Sequence, residues 1–509
     1  MHVRPTSRSA ERRLFEQVWL EGRLEEHLDA VYGDRCDPNA AVGPADAPAL
    51  TYTKLGLARA AGRISRASGR GGGTAAPGRL LLRLAPRAIA TMAARLRDGV
   101  VLVSATNGKT TTARMLVSIL EADGRRVVSN RAGANTHWGV STALAEGAGD
   151  IGVFEVDEAW LPLLAEQMRP RLLVLGNLSR DRLDGYGELE RLVCLWRTLL
   201  RSAGAAPMVV ANADDALLTG PGGVLDGASL HSILFGLDDE RAGSAAPEHP
   251  HEAPHCARCG HRLEYTRAFV GHLGHYRCDG CRRSRPAPDV RAIAVDERGL
   301  EATRATIALP GATFAVSLAQ PGLHNVHNAL AATAAAVTLG AGPEVIRAGL
   351  QSVRPPFGRS ETIGVQGRTV HLCLVKNPAG VNAMLRVLEA HRRRHPLHLW
   401  LALNDGAADG RDVSWIWDAN FERLGGQPAA VTCSGRRAGE LAVRLKYAGW
   451  NCPFEVDENL DTSFARALMR APQSLIALPT YTALLGLRAV LNRRGVVVSD
   501  WGTTARSAA

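Results

Sequence analysis

The stretch VLVSATNGKTTTARMLVSIL, residues 101–120, constrains the fold more than any other segment of the chain. It opens as an unbroken apolar and β-branched run, the pattern of a strand buried on both faces of a parallel sheet. Gly108, Lys109 and Thr110 then turn the chain into a helical pattern that continues to Asp123. A glycine turn between strand and helix aims free backbone N–H groups, and the positive end of the helix, at one spot, which makes an anion site. Lys109 is placed to reach terminal phosphates and Thr110 to hold Mg²⁺. Thr106, Asn107, Gly108, Lys109, Thr110 and Thr111 are therefore the expected phosphate-loop residues. Val103 stands where the usual loop has its first glycine, so a chance turn is the competing reading, and the loop by itself specifies only a nucleotide.

Strand and helix patterns alternate around this unit, with strands expected at Gly99–Ser104, Ile151–Val156, Leu172–Leu175 and Met208–Ala211. That alternation indicates an α/β fold with a parallel sheet covered by helices. The run from Ala242 to Pro288, rich in His, Pro and Cys, interrupts it. An apolar helix, PGLHNVHNALAATAAAVTLG, precedes a linker-like QSVRPPFGRSE, and a second alternating region begins near Thr369 with a strand at Leu397–Leu403. The expected organisation is an extension over 1–54, an ATP-binding domain over 55–350 with an insert at about 250–288, and a smaller α/β domain over 351–509. A Gly-rich turn at Gly69–Gly73 divides the two helical patterns that lead into the first strand.

No apolar run approaches the roughly 18 residues of a membrane span, and the N-terminus lacks the apolar core of a signal peptide, so a cytoplasmic protein is expected. The formal charge of +10 suits nucleic acid, anionic lipid or a phosphorylated substrate without choosing among them. Lysine usage says more. Only Lys54, Lys109, Lys376 and Lys446 occur, against a background of arginines, and two of them sit in motifs. A compact ammonium fits between phosphate oxygens where the planar arginine fork does not.

Cys256-x2-Cys259 and Cys278-x2-Cys281 are two knuckles separated by 18 residues. Four thiolates at that spacing make a closed tetrahedral Zn²⁺ site, which has no open position for catalysis. His255, His261, His272 and His275 are read as surface residues of this ribbon and not as ligands.

SATNGKTTTARML, FEVDEAWLP, VVANADD and PGLHNVHNALAA, in this order, resemble the Mur ligase family, and CARCGHRLEY with YRCDGC and VKNPAGVNAMLRVL with LWLALNDGAADGRDVSWIWDANFERL point within it to the MurT branch. The resemblance implies that Glu155 binds Mg²⁺, with Glu158 beside it, that Asn325 contacts adenine, and that Lys376 faces the nucleotide cleft. Two departures separate the chain from the amino-acid-adding ligases: Arg182 occupies the place of their metal-binding histidine, and no lysine lies between Lys109 and Lys376 to be carbamylated.

The activity so implied is ATP-dependent amidation of the D-glutamate α-carboxylate in the lipid II stem peptide, through an acyl phosphate, with ATP, Mg²⁺ and Zn²⁺ as cofactors. VTCSGRR around Cys433 is no glutaminase nucleophile elbow, so ammonia must come from a separate, GatD-like glutaminase subunit. The lipid substrate places the protein transiently at the inner membrane surface, and nucleic acid is not an expected partner. Among Asp405, Asp409, Asp412 and Asp418, the resemblance makes Asp412, and after it Asp409, the acid lent to the partner's catalytic histidine; capping of local helices is the plainer role. The alternatives are a stand-alone amino-acid ligase and a zinc-ribbon nucleic-acid-binding ATPase.

Overall fold

The computed structural model describes residues 52–67, 75–131, 133–179, 188–202, 207–228, 230–245, 253–353, 359–392, 395–406, 408–426 and 428–496. The N-terminal extension up to residue 51, the turn at Gly69–Gly73, Arg182 and the middle of the linker at 354–358 lie outside them. Among the described residues no helix is long and apolar enough to cross a membrane.

Strands β1 (Val100–Ser104), β2 (Val127–Val128), β3 (Ile151–Glu155), β4 (Leu172–Leu175), β5 (Met208–Asn212) and β6 (Ser232–Leu237) are parallel and stand in the order β6-β5-β4-β1-β3-β2. All five residues of β1 are buried, as the continuous apolar run requires of a strand covered on both faces. Helices Lys109–Ala122, Leu323–Thr338 and Pro343–Ser352 pack on one face. Helices Tyr52–Ala67, Ala76–Leu84, Ala88–Ala93, His137–Glu146, Leu161–Met168 and Glu188–Ser202 cover the other.

The insert leaves after β6 and returns as a separate three-stranded antiparallel sheet, β7 (Leu263–Val270), β8 (Leu273–Cys278) and β9 (Arg283–Ser284). The chain then rejoins the large sheet: β10 (Val290–Glu297) pairs parallel with β6, and β11 (Thr303–Leu309) and β12 (Ala312–Leu318) extend it antiparallel to nine strands. The sheet is thus mixed, and its antiparallel margin is an addition to the expected parallel core.

A second sheet, in the order β13-β14-β18-β15-β16-β17, comprises β13 (Arg359–Val365), β14 (Arg368–Cys373), β15 (His398–Ala402), β16 (Ala430–Ser434), β17 (Phe454–Asp457) and β18 (Ser474–Pro479). Helices Pro378–Arg392 and Ala438–Tyr447 pack on one face, and Leu460–Arg470 and Tyr481–Arg493 on the other. The two sheets' layers meet where Arg386 pairs with Glu297 at 2.9 Å and Leu300 joins the second core.

The insert is fastened by a buried charge. Asp214, fully buried behind β5, accepts from Arg285 Nε at 2.6 Å, from His327 Nε2 at 2.9 Å and from the Leu237 N–H at 2.8 Å. Burial alone would raise its pKa, but the Arg285 guanidinium and His327 outweigh it and hold the carboxyl below its ordinary value of 3.8. A depressed carboxylate contributes stability above its unfolded pKa and loses it as the pH falls through the folded one. Asp214→Asn leaves Arg285 without its most buried partner, and loss of one member of a buried pair costs roughly 3–5 kcal/mol. Urea unfolding at neutral pH should show a loss near the lower end of that range, since Arg285 keeps Asp238 at 3.1 Å. The gap between variant and wild type should narrow as the pH falls below about 4; a gap that widens there would contradict an ionised Asp214.

Candidate active site

β1 pairs with β4 on one side and β3 on the other, so the sheet order reverses at β1 and the loops leaving the three strands converge. Open α/β sheets bind their ligands at such a point. Gly108 caps the helix Lys109–Ala122 with φ +90°, and a Cβ there would fall 2.0 Å from Oδ1 of Asn328. Glycine is what lets the helix Leu323–Thr338 approach the loop this closely.

Asn107 is the hub of the loop. Its N–H donates to Asn177 Oδ1 at 3.0 Å, its carbonyl accepts from Asn177 Nδ2 at 2.7 Å, its side-chain amide donates to Ser179 Oγ at 3.0 Å, and its Oδ1 accepts from Asn377 Nδ2 at 3.1 Å. Thr106 Oγ1 accepts from the Ser179 N–H at 3.1 Å. Buried Lys109 donates from Nζ to the Ala105 carbonyl and to Glu158 Oε2, each at 3.0 Å.

Glu155 ends β3 and is buried, its backbone clasped by Asn130, which donates to the Glu155 carbonyl at 2.8 Å and accepts from the Glu155 N–H at 3.0 Å. Its Oε2 is buried and meets no hydrogen-bond partner among the described residues. A hard carboxylate oxygen left over beside a phosphate loop fits a Mg²⁺ ligand. Glu158, by contrast, is held on Lys109.

Asn325 presents its amide in a fixed orientation, Nδ2 donating to the Pro321 carbonyl at 2.8 Å and Oδ1 accepting from Asn328 Nδ2 at 3.0 Å. Asn325, Asn107, Gly108, Thr111, Lys376 and Asn377 line one cleft. Asn377 also caps the helix Pro378–Arg392, accepting from the Gly380 N–H at 2.8 Å, so the second sheet's first helix is anchored to the phosphate loop at its start.

In the insert, Cys256 Sγ lies 3.8 Å from Cys281 Sγ, Cys259 Sγ lies 3.4 Å from Cys278 Sγ, and all four sulfurs fall within 4.8 Å of one another. Zn–S bonds of about 2.3 Å in a tetrahedron need sulfurs about 3.8 Å apart, so the four thiols fit one Zn²⁺ and are too distant for disulfides.

Among the ribbon histidines, His255 and His261 are exposed as expected, but two depart from a surface role. His272 is buried with Nε2 3.1 Å from Asp215 Oδ1, and His275 Nε2 donates to the Leu237 carbonyl at 2.8 Å. Both tie the ribbon to the nucleotide domain, a task that spacing within the ribbon cannot reveal.

The C-terminal aspartates do not act as one cluster. Asp405 pairs with Arg437 at 2.9 Å, and Asp409 accepts from the Thr482 N–H at 2.8 Å and from the Thr482 hydroxyl. Asp412 is exposed and accepts from the Ser414 N–H at 2.8 Å, which holds its carboxyl below the usual carboxylate range. Cys433 is buried in β16, and burial pushes its thiol up to about 12, so it is no nucleophile.

Sequence reading missed Asn130, Asn177, Ser179, Asn328 and the pair Asp214 and Asp215. Single Asn and Ser residues after strands are common loop formers; the pairing of β1 with β4 brings Asn177 and Ser179 to the loop, and Asn130, Asn328 and the two aspartates arrive there from other elements.

The profile of the Mur ligase middle domain matches residues 103–266, and that of the MurT ligase C-terminal domain residues 374–484. Solved structures similar in fold include a pseudomurein peptide ligase type C from Methanothermus fervidus, with a TM-score of 0.61 at 22% identity over 79% of this chain and 80% of that one. A MurF from Acinetobacter baumannii gives 0.59 at 18% identity over 82% and 80%. Among curated relatives, the lipid II isoglutaminyl synthase (glutamine-hydrolysing) subunit MurT of Streptococcus pneumoniae is 31% identical over 87% of this chain and 98% of its own length. The subunit of the same name from Staphylococcus aureus is 30% identical over 87% and 98%. With the phosphate loop, the four-thiol insert and the C-terminal sheet all in place, the chain belongs to the MurT family of Mur-type ATP-dependent ligases.

Proposed function

We propose that the chain is the ligase subunit of a lipid II isoglutaminyl synthase, amidating the D-glutamate α-carboxylate of the stem peptide to D-isoglutamine for peptidoglycan synthesis. The observation that carries this reading is the Asn107–Asn377 hydrogen bond, which joins the phosphate loop to the MurT-type C-terminal region across one cleft. ATP binds there with its phosphates on Thr106 to Thr111, Lys109 and Lys376 countering their charge and Asn325 at the adenine. Thr110 and Glu155 would be the oxygen ligands for Mg²⁺, with Glu158 beside them holding Lys109; the ion when bound would neutralise charge on the transferring phosphoryl group. Transfer of the γ-phosphoryl group to the carboxylate makes an acyl phosphate; ammonia attacks its carbonyl carbon, and inorganic phosphate leaves as the amide forms. The reading divides the chain into an ATP-binding unit over 55–350 and a C-terminal unit over 351–509.

Ammonia comes from a glutaminase partner. The exposed rings of Trp417, close to Asp412 in sequence, and Tyr447, 50% and 76% accessible with centroids 5.7 Å apart, form an apolar patch that suits a protein contact. Asp409 is committed to Thr482, which leaves the exposed Asp412 as the acid to support the partner's histidine. The reading requires the subunit to work at the cytoplasmic membrane face, where the lipid-linked substrate lies.

Lys109→Ala should remove ATP-dependent amidation by at least about 100-fold while the complex still assembles, as phosphate-loop electrostatics supply most of such catalysis. Retained turnover in that variant would remove the ATP-site assignment. Asp412→Asn should cut glutamine-driven amidation by about two orders of magnitude or more, because an amide cannot support an imidazolium, and should spare amidation driven by added ammonium salt. Equal loss of both activities, measured on one preparation of the complex, would place Asp412 in the ligase cleft or in folding instead.

A further inference from the structure

The turn between the ribbon's two long strands is part of the ligase cleft. β7 and β8 are joined by only Gly271 and His272, with Val270 paired to Leu273 across the turn. Gly271 takes φ +59°, the backbone a two-residue hairpin demands at its first turn position. This narrow tip reaches the cleft that holds the phosphate loop, where Val270 and Leu273 share the lining with Leu374 and Met384 of the C-terminal region. Gln320 and Asn325 add amides to the same lining.

The tip is not loosely laid there. Buried His272 meets Asp215 Oδ1 at 3.1 Å, and Asp215 Oδ2 in turn accepts from the Leu178 N–H at 2.8 Å. Leu178 sits between Asn177 and Ser179, the two residues that hold Asn107 and Thr106 of the phosphate loop. Gly274 adds a backbone bond to the Asp214 carbonyl at 2.8 Å, and Tyr276 Oη lies 2.9 Å from Thr219 Oγ1. A chain of short contacts therefore fixes the distance between the hairpin tip and the phosphate loop.

We propose that the hairpin tip of the ribbon is one wall of the pocket for the nucleotide's purine base, with Val270 and Leu273 packing on the base and His272 as the positioning residue that sets their distance from the phosphate loop. Apolar side chains with a few placed amides are the lining that pockets for flat organic groups use. The ribbon is then more than a folding staple: it determines which base the ligase accepts. The proposal rests on the reading of this cleft as the ATP site.

The test is nucleotide binding to the assembled, zinc-loaded complex, measured calorimetrically in the absence of turnover with ATP, GTP and inorganic triphosphate. Triphosphate engages the phosphate loop without a base. Val270→Ala, which leaves the His272–Asp215 contact alone, should weaken ATP severalfold and triphosphate not at all. His272→Ala should weaken ATP about tenfold and reduce the preference for ATP over GTP, and His272→Gln, which can still bond Asp215, should recover most of both. Equal weakening of ATP and triphosphate, or unchanged ATP affinity in both alanine variants, would overturn the proposal. Absence of ATP binding by the wild-type complex would instead overturn the nucleotide reading of the cleft on which it stands.

Discussion

The turn after β1 is the point on which the cleft depends. Three backbone and side-chain groups of Asn107 are taken by the loop after β4, and its remaining oxygen is taken by Asn377 at the start of the second sheet's first helix. A loop whose N–H groups must stay pointed at phosphate cannot be left to find its shape on ligand arrival, because ordering it then would cost affinity. Here neighbouring amides hold it in place, and Gly108 lets Asn328 close in behind it. The geometry is fixed by bonds that carry no charge, which leaves the Lys109–Glu158 pair and Glu155 as the charged groups of the site.

That charge is disposed with some economy. Lys109 is buried, and a buried ammonium without a partner is expensive. Glu158 supplies that partner at 3.0 Å, and the loop carbonyl of Ala105 a second. Glu155, one turn earlier on the strand end, is clasped only through its backbone, so its carboxylate is oriented without being neutralised. Two acids three residues apart thus differ in their contacts: Glu158 holds the lysine, and Glu155 Oε2 meets no hydrogen-bond partner among the described residues.

The parts of this architecture legible in the sequence are those with a short-range signature. β1 and its helix, the four thiols and the strand at Leu172–Leu175 fall within a residue or so of their expected places, since each rests on a continuous apolar run or a fixed spacing. β10, β11 and β12 alternate buried and exposed residues, as an antiparallel margin with one solvated face does, and a search for continuous apolar runs passes over them. The site's second layer was less legible still. His272 looked like one of four ribbon histidines, and Asp215 like the end of a polar turn, and nothing local in either says that the two meet across 57 residues.

Adjacent acids at the end of β5 explain how an insert can share a site with the domain that hosts it. Asp214 points to Arg285 and His327, joining the end of the ribbon to the helix that carries Asn325. Asp215 points to His272 and Leu178, joining the ribbon's tip to the phosphate loop. Asp214 lies in the turn after β5 and Asp215 is the N-cap of the short helix Ala216–Thr219, so this bend of the chain sends consecutive side chains to two different elements. An insert tied at a single point would pivot; two ties at different heights of the hairpin remove that freedom. The four thiols order the other end of the ribbon, which itself packs on Ala216 and Leu217, and the tip takes its position from the ligase domain through His272.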